Sequence, residues 1–291
     1  MDRLRSIIFI PGIQERFLER ATGIPADAVC LDLEDSVAPA DKAKAREMVR
    51  EWIPKVAQPR YSLIVRVNGF HTGLLEDDLL SVIRPEVDGI SLPKADSPEI
   101  VQRVDHYLTI LERERGIPEG HVKIIPWLES PEAIADAPAI CRASKRLFGA
   151  SFGGEDFSIG MNFNRTKGAK EVEWPRYQVA VACRAAGIQP IDTPYMDFRD
   201  TEGLQQEAQY VRSIGYAGKY CIHPTQVEIV NKAFLPSEQE IARAKRVIEF
   251  YKEAEKKGAG AISMDGFVVD RPVYVRALAL LEQAGQKPES A

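Results

Sequence analysis

Eight short apolar segments recur along the 291-residue chain, and each is followed by a loop and then by a segment with helical periodicity. None of the eight alternates polar with apolar residues, so both faces of each predicted strand are expected to be covered. Eight parallel strands with crossover helices close naturally into a barrel. The sequence therefore predicts an α/β fold, a (β/α)₈ TIM barrel, with an open doubly wound sheet as the alternative. The predicted strands are 6–10, 28–33, 62–67, 89–92, 123–128, 146–150, 188–191 and 220–222.

A different pattern begins after the eighth unit. Residues 237–257 have the periodicity of one amphipathic helix, and Glu240 follows Ser237 at the spacing of a capping box. The glycines of Gly258-Ala-Gly260 then precede a last helix, predicted to begin at Pro272. We therefore divide the chain into a barrel, residues 1–234, and a C-terminal helical extension or lid, residues 235–291.

Composition and charge exclude several classes of protein. The 38 basic and 43 acidic residues give a net charge of −5, so no overall positive field would hold a nucleic acid. No apolar run approaches the ~20 residues that span a bilayer, which argues against a membrane partner. The four cysteines are far apart and none forms a CxxC motif, which indicates reduced thiols in a cytoplasmic protein.

Charged residues cluster where the predicted strands end. Since the carboxyl ends of barrel strands meet at one mouth, their carboxylates would repel, by about 4 kcal/mol for two charges 4 Å apart at an effective dielectric of 20. Mg²⁺ would relieve this repulsion, because it binds one or two carboxylates and keeps its other positions for water and substrate oxygens. Alternatively, these acids cap helices or pair with basic residues around the rim. The residues are Asp32, Glu34, Asp35, Arg66, Lys94, Glu129, Glu155, Asp156 and Asp192.

Several of these residues belong to short motifs that follow one another in a fixed order. The motifs are Arg5-Ser6 with Phe9-Ile10-Pro11-Gly12, Asp32-Leu33-Glu34-Asp35-Ser36-Val37, Arg66-Val67-Asn68, Leu92-Pro93-Lys94, Glu129, Gly154-Glu155-Asp156, and Ile222-His223-Pro224 with Gln226. In this order and at barrel spacing, the set resembles the citrate lyase β-subunit-like group of the aldolase/citrate lyase superfamily. That superfamily also contains malyl-CoA and citramalyl-CoA lyases. The resemblance covers nearly the whole chain.

The resemblance implies a magnesium cofactor. The carboxylates that match Glu129 and Asp156 are the direct Mg²⁺ ligands in this family, and the charge argument favours the same pair. Glu34 and Asp35 would hold metal-bound waters in an outer layer of contacts. As an alternative, Glu34 and Asp35 are acids that cap the loop.

The resemblance also implies residues that bind the substrate. The arginine that matches Arg66 faces the substrate, and a fixed guanidinium beside a thioester carbonyl can stabilise a developing enolate oxygen. Glu129 would contact the substrate through the metal, and the glycines Gly153 and Gly154 would let backbone N–H groups approach a substrate carboxylate. The alternatives are a salt bridge at the rim for Arg66 and a tight turn for the glycines.

A late motif, residues 265–272, matches the family pattern only in part. The family often has a small or basic residue and a methionine where Phe267 and Val268 stand, and Arg271 intervenes before Pro272. By resemblance, Asp270 moves the proton at the carbon next to the thioester, and in related enzymes this aspartate comes from a neighbouring subunit. Alternatively, Asp270 is an N-cap for the last helix.

Taken together, the resemblance implies a Mg²⁺-dependent carbon–carbon lyase. It would cleave a 3-hydroxyacyl-CoA thioester, of the citramalyl-CoA or malyl-CoA type, to acetyl-CoA and a 2-oxo acid, and by family analogy it would be a homotrimer. Two alternatives stay open. One is an acyl-CoA thioesterase of the same fold, and the other is a citrate lyase β subunit that acts on a citryl thioester of a carrier protein within a complex.

Overall fold

The first unit of the protein is a closed eight-stranded parallel barrel. The computed structural model describes residues 4–256, 258 and 260–286. The strands follow one another around the barrel in chain order, and β8 pairs with β1 to close it. The predicted (β/α)₈ barrel is therefore confirmed, and the open doubly wound sheet is wrong. The strands are β1 (Ser6–Pro11), β2 (Ala28–Asp32), β3 (Ser62–Arg66), β4 (Gly89–Leu92), β5 (Lys123–Leu128), β6 (Gly149–Phe152), β7 (Gln189–Asp192) and β8 (Gly218–Cys221).

Helices alternate with the barrel strands, and the longer helices bury one apolar stripe. The helix α4 is an example, since Val101, Val104, Leu108 and Leu111 are buried at spacings of three and four residues. The helices of the chain are α1 (Glu15–Ala21), α2 (Lys42–Val56), α3 (Leu75–Val82), α4 (Pro98–Glu114), α5 (Pro131–Ala135), α6 (Ala137–Ile140), α7 (Gly154–Gly160), α8 (Glu173–Ala186), α9 (Thr201–Ser213), α10 (Pro224–Ala233), α11 (Glu238–Lys256) and α12 (Arg271–Gln283).

The sixth strand begins three residues later than predicted, at Gly149. Residues 146–148 run beside β5, where the Arg146 carbonyl accepts from Ile124 N at 3.0 Å and Phe148 N donates to the Ile124 carbonyl at 3.2 Å. The Arg146 guanidinium is buried and lies 2.7 Å from a carboxylate oxygen of Glu112. A buried ion pair fixes the chain here, and an apolar pattern cannot indicate it.

The chain divides into two compact units between Asn231 and Lys232, near the end of α10. The second unit contains the predicted capping box, in which Ser237 N donates to Glu240 Oε2 at 2.7 Å and Glu240 N donates to Ser237 Oγ at 3.2 Å. The helix that follows, α11, ends at Lys256, and its predicted last residue, Lys257, lies outside the described residues. A division into domains after residue 234 stays a prediction.

The second unit also contains a β-hairpin that the sequence analysis missed. Its strands are β9 (Ile262–Met264) and β10 (Phe267–Val269), and they pair antiparallel. Asp265 and Gly266 form the turn, with φ angles of 53° and 80°. An Asp-Gly pair between two apolar runs is the signal for such a turn, and it was available in the sequence.

One buried core holds the second unit together. The side chains come from α11, the hairpin and α12, and the rings of Tyr251 and Tyr274 stack at 4.5 Å between centroids. The buried members are Ala244, Val247, Ile248, Tyr251, Met264, Val269, Ala277 and Leu281. In the described part of the chain, no helix combines the length and the hydropathy needed to cross a membrane.

Candidate active site

A cavity of about 360 Å³ lies at the carboxyl ends of the barrel strands. This is the end of a (β/α)₈ barrel at which active sites lie. Seven of the residues singled out in the sequence line the cavity, and these are Asp32, Asp35, Arg66, Glu129, Gly153, Glu155 and Asp156. Gly154 lies between two lining residues, Gly153 and Glu155, at the beginning of α7.

Arg66 makes a bidentate ion pair with the Asp32 carboxylate. It ends β3 beside Asp32 of β2, its partner in the strand register, and its Nε and Nη2 donate to the two Asp32 oxygens at 2.6 and 2.8 Å. Its guanidinium carbon lies 4.3 Å from the centroid of the Phe9 ring. The predicted salt bridge exists, but Arg66 also lines the cavity, so the ion pair fixes the direction of the remaining N–H groups rather than excluding a substrate.

Glu34 and Asp35 lie beside the same guanidinium. Arg66 Nη1 is 3.0 Å from Glu34 Oε2 and 3.4 Å from Asp35 Oδ2. Burial, and the like charges of Asp35 and Asp32, raise the pKa of Glu34 to about 7, although Arg66 opposes this shift. The observed contacts are with Arg66, and the predicted role of both acids in holding metal-bound water stays a prediction.

Glu129 occupies a narrow space at the end of β5. It is buried, and its Oε1 accepts from Lys94 N at 2.7 Å. A methyl group on Gly153 would come within 2.4 Å of Glu129 Cβ and 2.5 Å of its Oε2, so the first glycine of the pair makes room for this carboxylate. Burial, and then the charges of Asp156 and Glu34, raise the pKa of Glu129 to about 8. The site therefore favours a positive partner for Glu129.

Asp156 lies in the first turn of α7, and its side chain is 36% exposed. Lys94 Nζ lies 3.4 Å from Asp156 Oδ1. Burial opposes the charge on Lys94, but Asp156 and Glu129 outweigh it and raise the pKa of Lys94 above its ordinary value. The second glycine, Gly154, donates its N–H to Thr193 Oγ1 at 3.3 Å, which anchors the beginning of the helix that carries Asp156.

The residues present fit a Mg²⁺ ion. Within residues 4–256, 258 and 260–286, no three His, Cys, Asp or Glu side chains are grouped to hold a metal on their own. Mg²⁺ does not need three, because one or two carboxylates suffice when water and substrate oxygens complete its shell. Glu129 and Asp156 are hard oxygen donors on one cavity, and the raised pKa of Glu129 marks a carboxylate whose negative charge is only partly balanced.

Asp270 lies in the second unit and is the N-cap of α12. Its Oδ1 accepts from Val273 N at 3.2 Å. The helix begins at Arg271, one residue before the predicted start, with Pro272 in its first turn. The capping alternative thus describes what Asp270 does within its own unit, and its role in proton transfer stays a prediction.

The aromatic residues that line the cavity were not predicted from the sequence. Phe9 and Trp127 both contribute to its lining, and behind them the Tyr220 ring stacks on Phe9 at 4.8 Å and lies 4.6 Å from Trp127. Phe9 shares the inner face of β1 with Ile7, two residues earlier, which is the strand periodicity that could have placed it inside the barrel. An apolar wall beside Arg66 can exclude water from a thioester.

The Arg66→Lys variant tests whether the planar guanidinium is required. Lysine keeps the charge but cannot form the bidentate ion pair with Asp32. We therefore expect kcat/KM to fall by about 10²–10³-fold and the free energy of unfolding to fall by about 1–2 kcal/mol. Kinetics and chemical denaturation measure the two effects, with the exposed Arg50→Lys as a control. Unchanged turnover in Arg66→Lys would leave Arg66 with a structural role only.

Comparisons with known proteins show to which family the chain is related. The profile of the family described as HpcH/HpaI aldolase/citrate lyase matches residues 5–224. Citrate lyase subunit beta of Leuconostoc mesenteroides subsp. cremoris is 35% identical over 284 residues, which are 97% of this chain and 94% of that protein. L-malyl-CoA/beta-methylmalyl-CoA lyase of Cereibacter sphaeroides is 33% identical over 300 residues, covering 96% of this chain and 94% of that protein.

A solved structure shares the fold over nearly the full length. It is the crystal structure of the protein CitE from Mycobacterium tuberculosis in complex with magnesium, acetoacetate and coenzyme A. The two chains are 29% identical, with a TM-score of 0.81 and coverage of 98% of this chain and 99% of that one. The relatives named above are lyases, which are enzymes. The resemblance inferred from the motifs is thus confirmed, and the chain belongs to the HpcH/HpaI aldolase/citrate lyase family.

Proposed function

We propose that this chain is a Mg²⁺-dependent carbon–carbon lyase that cleaves a 3-hydroxyacyl-CoA thioester, of the citramalyl-CoA or malyl-CoA type, to acetyl-CoA and a 2-oxo acid. One observation carries the proposal: a fixed arginine, Arg66, and the two carboxylates of Glu129 and Asp156 line a single cavity at the barrel mouth. The names of the lyase relatives, and the magnesium and coenzyme A bound to the solved relative, support the cofactor and the class of substrate.

The arginine fits the charge that develops in this reaction. The hydroxyl releases its proton to solvent and its oxygen becomes the carbonyl oxygen of the 2-oxo acid. The bond between the α-carbon of the thioester and the hydroxyl-bearing carbon breaks, and its electron pair moves onto the α-carbon and the thioester oxygen. Arg66 keeps a guanidinium at the cavity that can donate to this enolate oxygen, while Asp32 prevents the guanidinium from rotating. Phe9 and Trp127 form apolar parts of the lining, where the lower dielectric strengthens that interaction.

The carboxylates fit the other half of the substrate. Glu129 and Asp156 would hold Mg²⁺, which when bound supplies positive charge beside the hydroxyl and carboxylate oxygens of the part that leaves as the 2-oxo acid. Lys94 N orients the Glu129 carboxylate, and Gly153 leaves room for it. The N–H of Gly153 donates to the Leu128 carbonyl and that of Gly154 to Thr193 Oγ1, so N–H groups later in the first turn of α7 would orient the substrate carboxylate.

The last step of the reaction is a proton transfer, which we assign to Asp270. Asp270 would protonate the α-carbon of the enolate, or remove that proton in the condensing direction. The resemblance supports a homotrimer in which Asp270 serves a neighbouring subunit.

A cytoplasmic location is supported by the four cysteines, which are all free and buried.

A product assay tests the proposal. The purified chain is incubated with malyl-CoA, citramalyl-CoA and related thioesters, with Mg²⁺ or with EDTA. We expect a 2-oxo acid and acetyl-CoA to form in equal amounts with Mg²⁺ and neither to form with EDTA, and no free CoA thiol to be released. Free CoA with the intact hydroxy acid would show a thioesterase instead. Cleavage of a citryl thioester on a carrier protein only, with every CoA thioester untouched, would show a citrate lyase β subunit.

A further inference from the structure

Lys94 has a backbone conformation that lysine rarely adopts. It follows β4 and has a φ of 49°, in the left-handed region, where a non-glycine residue is uncommon and asparagine is tolerated better than lysine. Outliers of this kind persist where the surrounding structure requires them, and they concentrate at functional sites. The left-handed backbone of Lys94 is therefore a feature that the surrounding structure maintains.

Both ends of Lys94 contact the two candidate metal ligands. Its backbone N–H donates to Glu129 Oε1 at 2.7 Å, and its Nζ lies 3.4 Å from Asp156 Oδ1. The side chain is 34% exposed, so the ammonium retains contact with solvent. Lys94 thus contacts two carboxylates, that of Glu129 after β5 and that of Asp156 in the first turn of α7.

The other basic groups beside the cavity are engaged with other acids. The Arg66 guanidinium is bonded to both oxygens of Asp32, and Arg165 Nη1 lies 2.8 Å from Glu155 Oε1. The ammonium of Lys94 lies beside Asp156, and the charge of Glu129 also acts on it. Like charges repel, so a dication placed between these carboxylates would be opposed by that ammonium.

We propose that Lys94 is a positioning residue and the internal counter-ion of the candidate magnesium site: its ammonium balances Glu129 and Asp156 when no metal is bound, and it weakens the binding of Mg²⁺. This inference rests on the metal site of the proposed function. Without substrate the affinity for Mg²⁺ would be low, because the ion must displace the ammonium or bind beside it. Oxygen ligands from a bound substrate would raise that affinity. The substrate would then favour metal binding.

The Lys94→Met variant tests the inference without substrate. Calorimetric titration with Mg²⁺ measures the affinity, and removing one positive charge next to the two carboxylates is expected to lower the Kd about tenfold. The melting temperature of the metal-free variant is expected to fall, and its rise on adding Mg²⁺ is expected to exceed that of the wild type. A structural contact alone would give a lower melting temperature and no gain in affinity.

Three further variants control the experiment. Lys94→Arg keeps the charge and should keep the wild-type Kd. Lys145→Met makes the same change in net charge at an exposed residue that precedes β6, at the other end of the barrel, and should leave the Kd unchanged. Lys94→Asn suits the left-handed backbone, so it supplies the neutral variant if Lys94→Met folds poorly.

Two results would overturn the inference, and they can be told apart. If wild type binds Mg²⁺ and both neutral variants bind it no more tightly, Lys94 is not a counter-ion of the site, while the proposed function stands. If calorimetry and melting show no binding of Mg²⁺ to wild type at all, the metal dependence of the proposed function fails, and the inference fails with it.

Discussion

The Glu129→Gln variant is expected to lose Mg²⁺ binding and to reduce lyase turnover by about a hundredfold or more, because a neutral amide cannot balance a dication as a carboxylate does. The metal-free protein should remain at least as stable as the wild type. Burial and neighbouring acids raise the pKa of Glu129 to about 8, so the folded state gains little from this charge in the absence of metal. The glutamine side-chain oxygen can still accept from Lys94 N.

Thermal unfolding with and without Mg²⁺ checks both parts of this prediction. Wild type should melt at a higher temperature when Mg²⁺ is added, and Glu129→Gln should show no rise. The matched control is Glu132→Gln, which makes the same chemical change at an exposed position three residues away, in α5. If Glu129→Gln retained both the stabilisation by Mg²⁺ and wild-type turnover, Glu129 would not be a metal ligand.

The barrel could be predicted from sequence because its strands are short, apolar on both faces and separated by amphipathic helices. For β4 and β5 the predicted and observed ends coincide. The sixth strand shows the limit of this reasoning, since the ion pair between Arg146 and Glu112 fixes the chain before β6. A long-range contact of this kind leaves no periodic pattern in the sequence.

The charged residues of the candidate site were predictable from the sequence, but its aromatic residues and the contacts between its side chains were not. Topology alone places Arg66, Glu129 and Asp156 at one mouth, because parallel strands end on the same side of a barrel. The pairing of Arg66 with Asp32 depends on the register between β2 and β3. The contacts of Lys94 depend on one left-handed φ angle, and a lysine gives no local signal for that conformation.

Asp270 is the residue for which sequence and structure indicate different roles. The resemblance assigns it proton transfer in a neighbouring subunit, and the structure shows it as the N-cap of α12. Removing the end of the chain after α11 would not separate these roles, because α11 buries Val247, Ile248 and Tyr251 in a core shared with α12. A substitution that removes the charge of Asp270 and keeps the helix cap does separate the two roles.

Asp270→Asn is such a substitution, since asparagine caps helices about as well as aspartate. We expect this variant to keep its melting temperature and its Mg²⁺ affinity but to lose cleavage, because the amide cannot transfer the proton. Asp270→Ala, which lacks the cap, should lower stability by about 1 kcal/mol. Full activity in Asp270→Asn would leave the capping role as the whole function of this residue.

Mixing two inactive proteins, Asp270→Asn and Glu129→Gln, tests whether the site is shared between subunits. If Asp270 serves a neighbour, a mixed oligomer contains barrels with an intact Glu129 that receive an intact Asp270 from the other variant. In randomly mixed trimers prepared in equal amounts, about one quarter of the sites would be intact, so about a quarter of wild-type activity should return. If Asp270 serves its own barrel, every subunit carries one lesion and no activity returns. Subunit exchange is verified by native mass spectrometry of differently tagged chains, so a mixture that exchanges and stays inactive contradicts the shared site.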